Sequence, residues 1–240
     1  QGVVVHTLND DILELALNLS KRYPVIWRSW GPDLHDILYK NEDLLLPHTK
    51  RIVTGGGKIY QSYLKHFRQI YHSVSGKERL KKDRIEKKTE FIKSVEYIAT
   101  TTFSEFRSLR ERIPGMNAEY LPLNYRSLDI AKLPDLQKDN SGKKIMISHS
   151  SYSYHNHADV LYYLKNDSYQ GPIVIPLNYG DTVYRDKIVD YGSMLFGKQL
   201  EFTTEYTNFP DYLNFITDCY AFVHNSKVQS GGGNIMYFLH

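Results

Sequence analysis

Three consecutive glycines, Gly231, Gly232 and Gly233, separate two apolar stretches, CYAFVHN at 219–225 and NIMYFL at 234–239. Glycine has no Cβ, so its backbone can approach a ligand closely and can adopt positive φ values. The N-terminus of a helix supplies free N–H groups and a partial positive charge. By itself a strand, a glycine turn and a helix in this order indicate a plain strand-to-helix turn, with a phosphate-binding site as the functional alternative.

A second polar segment, SHSSYSYHNH at 148–157, combines hydroxyl and imidazole side chains directly after an apolar stretch. In doubly wound α/β folds the loop after the first strand usually meets the phosphates of a ligand. We therefore expect this segment to form hydrogen bonds with a phosphate or a ribose. Its three histidines, His149, His155 and His157, also allow a metal site, but no carboxylate has an obvious matching spacing, so a metal is the less favoured interpretation.

A tryptophan-containing segment, WRSWGPDLHDI at 27–37, holds the candidate for proton transfer. Asp33 lies where a helix is expected to begin, and a carboxylate there can accept a proton from a hydroxyl group of an acceptor sugar. In this interpretation Trp30 and His35 face the same cleft. The alternative is structural: Asp33 caps the helix, and the tryptophans fill the core.

Two further features are candidates for the same binding region. Glu201 and Glu205, in LEFTTEY at 200–206, are either solvent-exposed strand ends or carboxylates that bind ribose hydroxyls, as acidic residues do in nucleotide-binding folds. The second glycine triplet, at 55–57, predicts a loop, with a place at the edge of a cleft near an acceptor as the functional alternative.

The elements that must position these residues alternate between strands and helices. Apolar patterns predict strands at 2–7, 24–30, 95–101, 118–125, 143–150, 171–180, 198–206 and 219–225. They predict helices at 9–23, 58–74, 77–94, 103–113, 156–166, 182–197, 208–218 and 231–240, with Asn156 as a possible cap. This alternation predicts an α/β fold with parallel sheets and crossover helices. The turn-rich segment 127–142 predicts a linker between a first domain at 1–126 and a second at 143–240.

The overall composition of the 240 residues argues against several classes of protein. Apolar residues make up 41% and charged residues 24%, which is typical of a globular protein. No apolar run approaches the ~18 residues that cross a bilayer, and no signal-peptide pattern is visible. A single cysteine, Cys219, excludes an intramolecular disulfide and favours a reducing compartment. The net charge of only +3 argues against general nucleic-acid binding.

The charged run at 77–93 mixes lysines and arginines with acidic residues. Mixed signs predict a solvated helix face. The functional alternative is docking on an anionic membrane surface.

Short motifs spread over nearly the whole chain resemble one enzyme family. They are Trp30-Gly31-Pro32-Asp33-Leu34-His35, the 148–157 segment with Ser150 and His157, VIPLNYG with Pro176 and Tyr179, Glu205 ahead of FPDYLNFITDC, and QSGGGNI with Gln229, Gly231 and Gly233. In these motifs the sequence resembles the bacterial TDP-N-acetylfucosamine:lipid II N-acetylfucosaminyltransferases, glycosyltransferase family 56. It departs from the family pattern at His35, Ser148, His149, His155 and Tyr220.

The resemblance implies a GT-B architecture, in which two Rossmann-like domains face each other across a cleft. Both domains would be incomplete, because the family has more chain at both ends. The resemblance also implies transfer of an N-acetylfucosamine-like sugar from a TDP-sugar to a polyprenyl-diphosphate-linked saccharide, with no metal or other cofactor. This reaction would take place at the cytoplasmic face of the bacterial inner membrane.

Within that reaction each candidate residue has an expected role. Asp33, with His35 as the second choice, would remove the acceptor proton, and Trp30 and Gly31 would lie on the acceptor side. The predicted donor-site residues are Ser150, His157, Tyr179, Glu205, Gln229, Gly231, Gly233 and Asn234. The glycine loop, Ser150 and His157 would offset the charge of the leaving diphosphate, and Tyr179 and Glu205 would position the nucleotide or sugar.

Two other functions stay open from the sequence. One is a GT-B transferase that uses another nucleotide-sugar donor. The other is a non-catalytic module that binds a nucleotide or a membrane surface.

Overall fold

The structure is a computed structural model that describes residues 2–40, 43–55, 77–123 and 144–239. Its backbone divides into two compact units: unit 1 comprises Gln1–Asn41 and Ser62–Ser127, and unit 2 comprises Glu42–Gln61 and Leu128–His240. The helix predicted at 58–74 and the linker predicted at 127–142 lie outside the described residues.

Unit 1 contains a four-stranded parallel sheet. Its strands are β1 (Val3–His6), β2 (Val25–Arg28), β3 (Tyr97–Ala99) and β4 (Glu119–Tyr120), in the spatial order β1-β2-β3-β4. Its helices are α1 (Asp10–Ser20), α2 (Gly31–Leu38), α4 (Lys77–Ser94) and α5 (Phe103–Arg112). Of the strand predicted at 118–125, the structure describes residues 118–123, and of these Glu119–Tyr120 form a strand.

Local sequence signals explain how unit 1 is built. Asn9 precedes α1, and its side chain accepts a hydrogen bond from the backbone N–H of Ile12 at 3.1 Å, which caps the helix. Trp27, on β2, is fully buried and meets Phe91 of α4 edge to face, with ring centroids 5.8 Å apart. Burying a large aromatic ring stabilises a core by about 2–3 kcal/mol. The core role expected for a tryptophan of the 27–37 segment is confirmed for Trp27.

Unit 2 also contains a four-stranded parallel sheet. Its strands are β5 (Lys144–Ile147), β6 (Ile173–Pro176), β7 (Leu200–Thr203) and β8 (Cys219–Val223). Its helices are α3 (Pro47–Thr54), α6 (His157–Asn166), α7 (Thr182–Phe196), α8 (Phe209–Thr217) and α9 (Gly232–Leu239), with single 3₁₀ turns at Ser153–His155 and Gly197–Gln199. The predicted α/β class with parallel sheets is confirmed for both units, and the fold is compatible with a Rossmann-like architecture.

The strand order of unit 2 is β7-β6-β5-β8. The chain moves outward from β5 to β6 and β7, and then returns to place β8 on the other side of β5. The loops that leave β5 and β8 therefore diverge to opposite faces of the sheet. In open α/β sheets this point of reversal creates a crevice beyond the carboxyl ends of the strands, where ligands bind.

The division of the chain into units differs from the predicted domain boundaries. Residues 42–61, which include helix α3, belong to unit 2, whereas the sequence predicted a first domain at 1–126. Sequence patterns did not predict this helix. Its N-terminal backbone N–H groups bind to α6: Asp159 accepts hydrogen bonds from His48 and Thr49, both at 2.9 Å. The Asp159 carboxylate is buried, so it satisfies two donors that helix geometry leaves free.

Two residues near α3 also differ from their predicted roles. Asn156 precedes α6 but does not cap it with its side chain. Its Oδ1 instead accepts a hydrogen bond from the backbone N–H of Leu46 at 2.7 Å. Its Nδ2 donates to the carbonyls of Leu44 and Asn225, each at 3.1 Å. Gly55, from the second glycine triplet, ends α3 with φ of 81°. It acts as a helix terminator, which is the ordinary role of glycine in the left-handed conformation.

We expect Asp159→Ala to lower the free energy of unfolding by about 2–3 kcal/mol, because two buried backbone N–H groups lose a charged acceptor. Urea unfolding followed by circular dichroism measures this change. Asp190→Ala, which removes an exposed carboxylate on α7, is the matched control and should stay within about 0.5 kcal/mol of the wild type. Equal effects of the two substitutions would contradict the capping role of Asp159.

Candidate functional site

The loops after β5 and β8 begin side by side at the point where the strand order reverses. Ser148 follows β5, and its backbone N–H donates to the carbonyl of Val223 at the end of β8, at 3.0 Å. Ser148 is fully buried and has φ of 56°. This left-handed conformation costs a residue with a side chain about 1–2 kcal/mol. Backbone strain of this kind clusters at ligand sites, which makes this edge of the sheet the leading candidate.

The first turn of α9 borders the same edge. Gly231 has φ of 65°, and a Cβ at this position would lie only 2.9 Å from Nδ1 of His149. Glycine is therefore required both by backbone conformation and by close packing. The first intrahelical bond of α9 runs from the N–H of Ile235 to the carbonyl of Gly231, at 3.1 Å. The amides of residues 232–234 precede it, and such amides carry the partial positive charge of a helix N-terminus.

Four imidazoles pack together beside this turn. The ring centroids are 4.6 Å apart for His149 and His155, 5.3 Å for His155 and His224, 5.5 Å for His149 and His224, and 5.7 Å for His155 and His157. Burial, together with a smaller effect of the neighbouring imidazoles, lowers the pKa of His149 to about 4, of His155 to about 2 and of His157 to about 3. Burial also lowers the pKa of His224. All four side chains are therefore neutral at pH 7.

Only His157 of this cluster was among the predicted donor-site residues. It is fully buried, and its Nδ1 lies 3.2 Å from the hydroxyl group of Tyr184. An imidazole in this position supports the loop and does not face the crevice. His149 and His155 were considered as part of the 148–157 segment and as possible metal ligands, but not as individual donor-site residues, and His224 was not singled out. His224 lies within the predicted strand CYAFVHN at 219–225 and directly follows β8 in the structure, but only the pairing of β5 with β8 brings it to the 148–157 loop.

Two other predicted donor-site residues have their side chains bound within unit 2. The Ser150 hydroxyl is buried and lies 3.2 Å from Nδ1 of His155. The Asn234 amide accepts a hydrogen bond from the hydroxyl of Tyr212 at 2.9 Å, which joins α9 to α8. What these residues offer to a ligand is thus the backbone conformation that their side chains stabilise.

The remaining predicted donor-site residues lie on or near loops at the same edge of the sheet. Gln229 is half-buried in the loop before Gly231, and Gly233 is exposed in the first turn of α9. Tyr179 follows β6, is 55% exposed, and has its ring 6.2 Å from that of His149. Glu205 follows β7, is exposed, and lines a shallow pocket of about 380 Å³. The backbone carbonyl of Glu205 accepts a hydrogen bond from Asn178, so its carboxylate is not used for this contact.

In unit 1, Asp33 has the structural role that the sequence allowed. Its Oδ2 accepts a hydrogen bond from the backbone N–H of Trp30 at 3.0 Å, and its Oδ1 accepts one from the hydroxyl of Thr7, also at 3.0 Å. Asp33 is buried in the first turn of α2 and caps that helix. The proton-transfer role of Asp33 stays a prediction.

The other candidates of unit 1 surround Asp33. Gly31 is buried at the first position of α2, and the half-buried ring of Trp30 lies 5.7 Å from the guanidinium of Arg28. His35 and Asp33 line a pocket of about 390 Å³, and burial lowers the pKa of His35. The charged groups of this pocket are Asp10, Asp33, Asp36, Lys81, Arg84 and Lys88.

Helix α4, which carries the charged run, uses several of its cations inside unit 1. Lys88 is buried and contacts Asp36 at 3.1 Å, while Arg84 contacts the same carboxylate at 2.6 Å. Lys87 contacts Glu14 at 2.9 Å. These cations stabilise the packing of α4, and the solvated face that the mixed charges predict accounts for only part of the run.

Two kinds of feature are absent from the described residues. No group of three or more His, Cys, Asp or Glu side chains could hold a metal ion. No helix in the described ranges is long and apolar enough to cross a membrane. The thiol of Cys219 is buried, and burial raises its pKa to about 11.

Comparisons of the chain with protein-family models, with curated proteins and with solved structures find no match. The resemblance to glycosyltransferase family 56 thus rests on the sequence motifs alone.

The two glycines of the α9 turn provide a matched pair for testing the site geometry. We expect Gly231→Ala to destabilise unit 2 by about 1–3 kcal/mol, because the left-handed backbone and the contact with His149 both oppose a Cβ. A Cβ at Gly233 would meet nothing within 4 Å. Gly233→Ala should be neutral or should stabilise the protein by up to about 1 kcal/mol through helix propensity. Thermal or urea unfolding measures both, and similar changes for the two variants would contradict the geometry of the turn.

Proposed function

We propose that the chain is a GT-B glycosyltransferase that moves an N-acetylfucosamine-like sugar from a TDP-sugar to a polyprenyl-diphosphate-linked saccharide. The observation that carries this proposal is the reversal of strand order in unit 2, where the pairing of β5 with β8 brings the first turn of α9 beside the 148–157 loop. Helix N-termini at such a position bind phosphate groups in other α/β folds. The donor sugar and the acceptor come from the family resemblance, as does a place at the inner face of a bacterial membrane.

The leaving diphosphate is the main electrostatic problem of this reaction. Backbone N–H groups at 232–234 would stabilise its negative charge, and they would do so without reorganisation because Gly231 and the imidazole cluster hold them in place. Tyr179 offers an exposed aromatic face to a base or a sugar, and Glu205 offers an exposed carboxylate to ribose hydroxyls. Donor binding by unit 2 therefore uses residues from the ends of several strands.

Asp33 is the proposed base that removes the acceptor proton. A carboxylate has about four lone-pair sites, and the hydrogen bonds from Trp30 and Thr7 use two of them. The remaining sites can accept a proton while the helix cap stays in place. His35, the second choice, lines the same pocket and is neutral at pH 7 because burial lowers its pKa.

A nucleotide panel tests the proposal directly. We expect TDP and TDP-glucose to raise the melting temperature of the protein and to bind in calorimetry, whereas adenosine monophosphate and free glucose should not. The physical reason is that the crevice offers amide donors to a diphosphate and an exposed aromatic ring to a base.

The panel also separates the alternatives. Binding of UDP or CMP without binding of TDP would replace the donor by another nucleotide sugar. Nucleotide binding without any sugar transfer to a lipid-linked acceptor would indicate a non-catalytic module. Absence of binding by every nucleotide diphosphate would contradict the proposal.

A further inference from the structure

The imidazole cluster of unit 2 contains a directed chain of hydrogen bonds. Nδ1 of His155 lies 3.2 Å from the carbonyl oxygen of Ser150, and its Nε2 lies 3.3 Å from the hydroxyl of Ser230. The Ser150 hydroxyl also lies 3.2 Å from this Nδ1 and can donate or accept, whereas the carbonyl oxygen only accepts, so the tautomer that satisfies both contacts carries its proton on Nδ1. In the neutral ring Nε2 then accepts, which means that the Ser230 hydroxyl donates to it.

The same reasoning fixes the next member of the chain. Nε2 of His224 lies 3.0 Å from the Ser230 hydroxyl, whose single proton already points to His155. Nε2 of His224 must therefore donate, and Nδ1 of His224 is the unprotonated nitrogen. That nitrogen is buried and has no hydrogen-bond partner within the described part of the chain. The donor of His155 thus bonds within the loop after β5, and that of His224 bonds within the 224–230 loop. The Ser230 hydroxyl joins the two loops by donating to His155.

His149 is the member of the cluster whose donor is still available. Its Nδ1 is buried against Gly231 and has no partner within the described ranges. Its Nε2 is neither buried nor hydrogen-bonded to any described residue, so it reaches the solvent. A proton on Nδ1 would be an unsatisfied buried donor, which costs about 1–3 kcal/mol, and the neutral ring therefore carries its proton on Nε2.

The loops around the crevice contain almost no permanent positive charge. The segments 148–156, 177–181, 204–208 and 224–231 include a single lysine or arginine, Lys227. The ammonium group of Lys227 donates to the carbonyl of Asp43 at 2.7 Å. An anion at this edge of the sheet would thus meet neutral donors: the amides of α9, the hydroxyl and amide side chains of these loops, and the Nε2–H of His149, which has no acceptor among the described residues.

We propose that His149 binds the diphosphate of the donor through Nε2–H and takes up a proton when that anion binds. This inference rests on the proposed function, because it takes the ligand to be a nucleotide diphosphate. Among the described residues, the titratable groups that face His149 are His155, His157, His224 and Tyr179, all of them neutral near pH 7. The imidazolium therefore has no counterion until an anion arrives.

The linkage between binding and protonation has a definite sign. Burial holds the pKa of His149 at about 4 in the free protein, and a neighbouring anion raises it. A group whose pKa rises on binding takes up a proton, so affinity increases as pH falls through the pKa of the complex toward about 4. The diphosphate of TDP-glucose has no group that titrates near neutrality, so a pH dependence with this ligand reports on the protein.

The test measures TDP-glucose binding by calorimetry between pH 5.5 and 8.5, in buffers of different ionisation enthalpy. We expect proton uptake and tighter binding toward the acid end for the wild type. His149→Gln keeps an N–H donor that cannot become charged, so it should lose both effects. His149→Ala should weaken binding at pH 6 by roughly tenfold or more, as expected for loss of a charge-assisted hydrogen bond. His6→Gln, an exposed site on β1, is the matched control and should behave like the wild type.

Histidine ¹⁵N–¹H NMR of the wild type provides a second measurement that needs no variant. The tautomers should be Nδ1–H for His155 and Nε2–H for His149 and His224, and pyrophosphate should shift the His149 signals toward the imidazolium. A pyrophosphate shift of His149 without nucleotide-sugar binding would overturn the proposed function and leave the anion site standing. Binding of TDP-glucose that is unchanged in both His149 variants would overturn the role of His149 alone. Proton uptake that persists in His149→Gln and disappears in His224→Gln would also overturn it.

Discussion

The pairing of β5 with β8 is the constraint on which the rest of unit 2 depends. Because β8 lies on the opposite side of β5 from β6, the two loops that follow β5 and β8 leave the sheet toward different faces. The space between them is where the strained Ser148 and the left-handed Gly231 occur. Both conformations are tolerated because parallel strands on each side hold the ends of these loops in place.

The imidazole cluster determines the charge of this region. In a buried setting the neutral form of histidine is favoured, so the cluster holds the loops together without introducing charge. Hydrogen bonds through Ser230 and Ser150 use the donors of His155 and His224, and His149 is left at the surface of the group. A neutral crevice that gains charge only with its ligand would avoid the cost of keeping an unpaired buried cation in the free protein.

Local signals in the sequence predicted most elements and the glycine turn. The cap of α1 by Asn9 and the β-branched runs depend on residues that are close together in the chain, so a single sequence reveals them. The features that the sequence patterns did not predict share one cause: each depends on contacts between residues that are far apart in the chain. Helix α3 is polar and short, and its N-terminus is satisfied by Asp159, which is 110 positions from Thr49. His224 joins the site only through strand order, and neither hydrophobic periodicity nor motif spacing reports strand order.

Backbone amide NMR during a titration with TDP is the most direct test of the claim that the reversal point of unit 2 is a diphosphate site. The account predicts that the largest shifts map to two segments, 148–157 and 229–235, because these are the loops and the helix turn that border the crevice. Shifts confined to unit 1, or no shifts at saturating TDP, would contradict it.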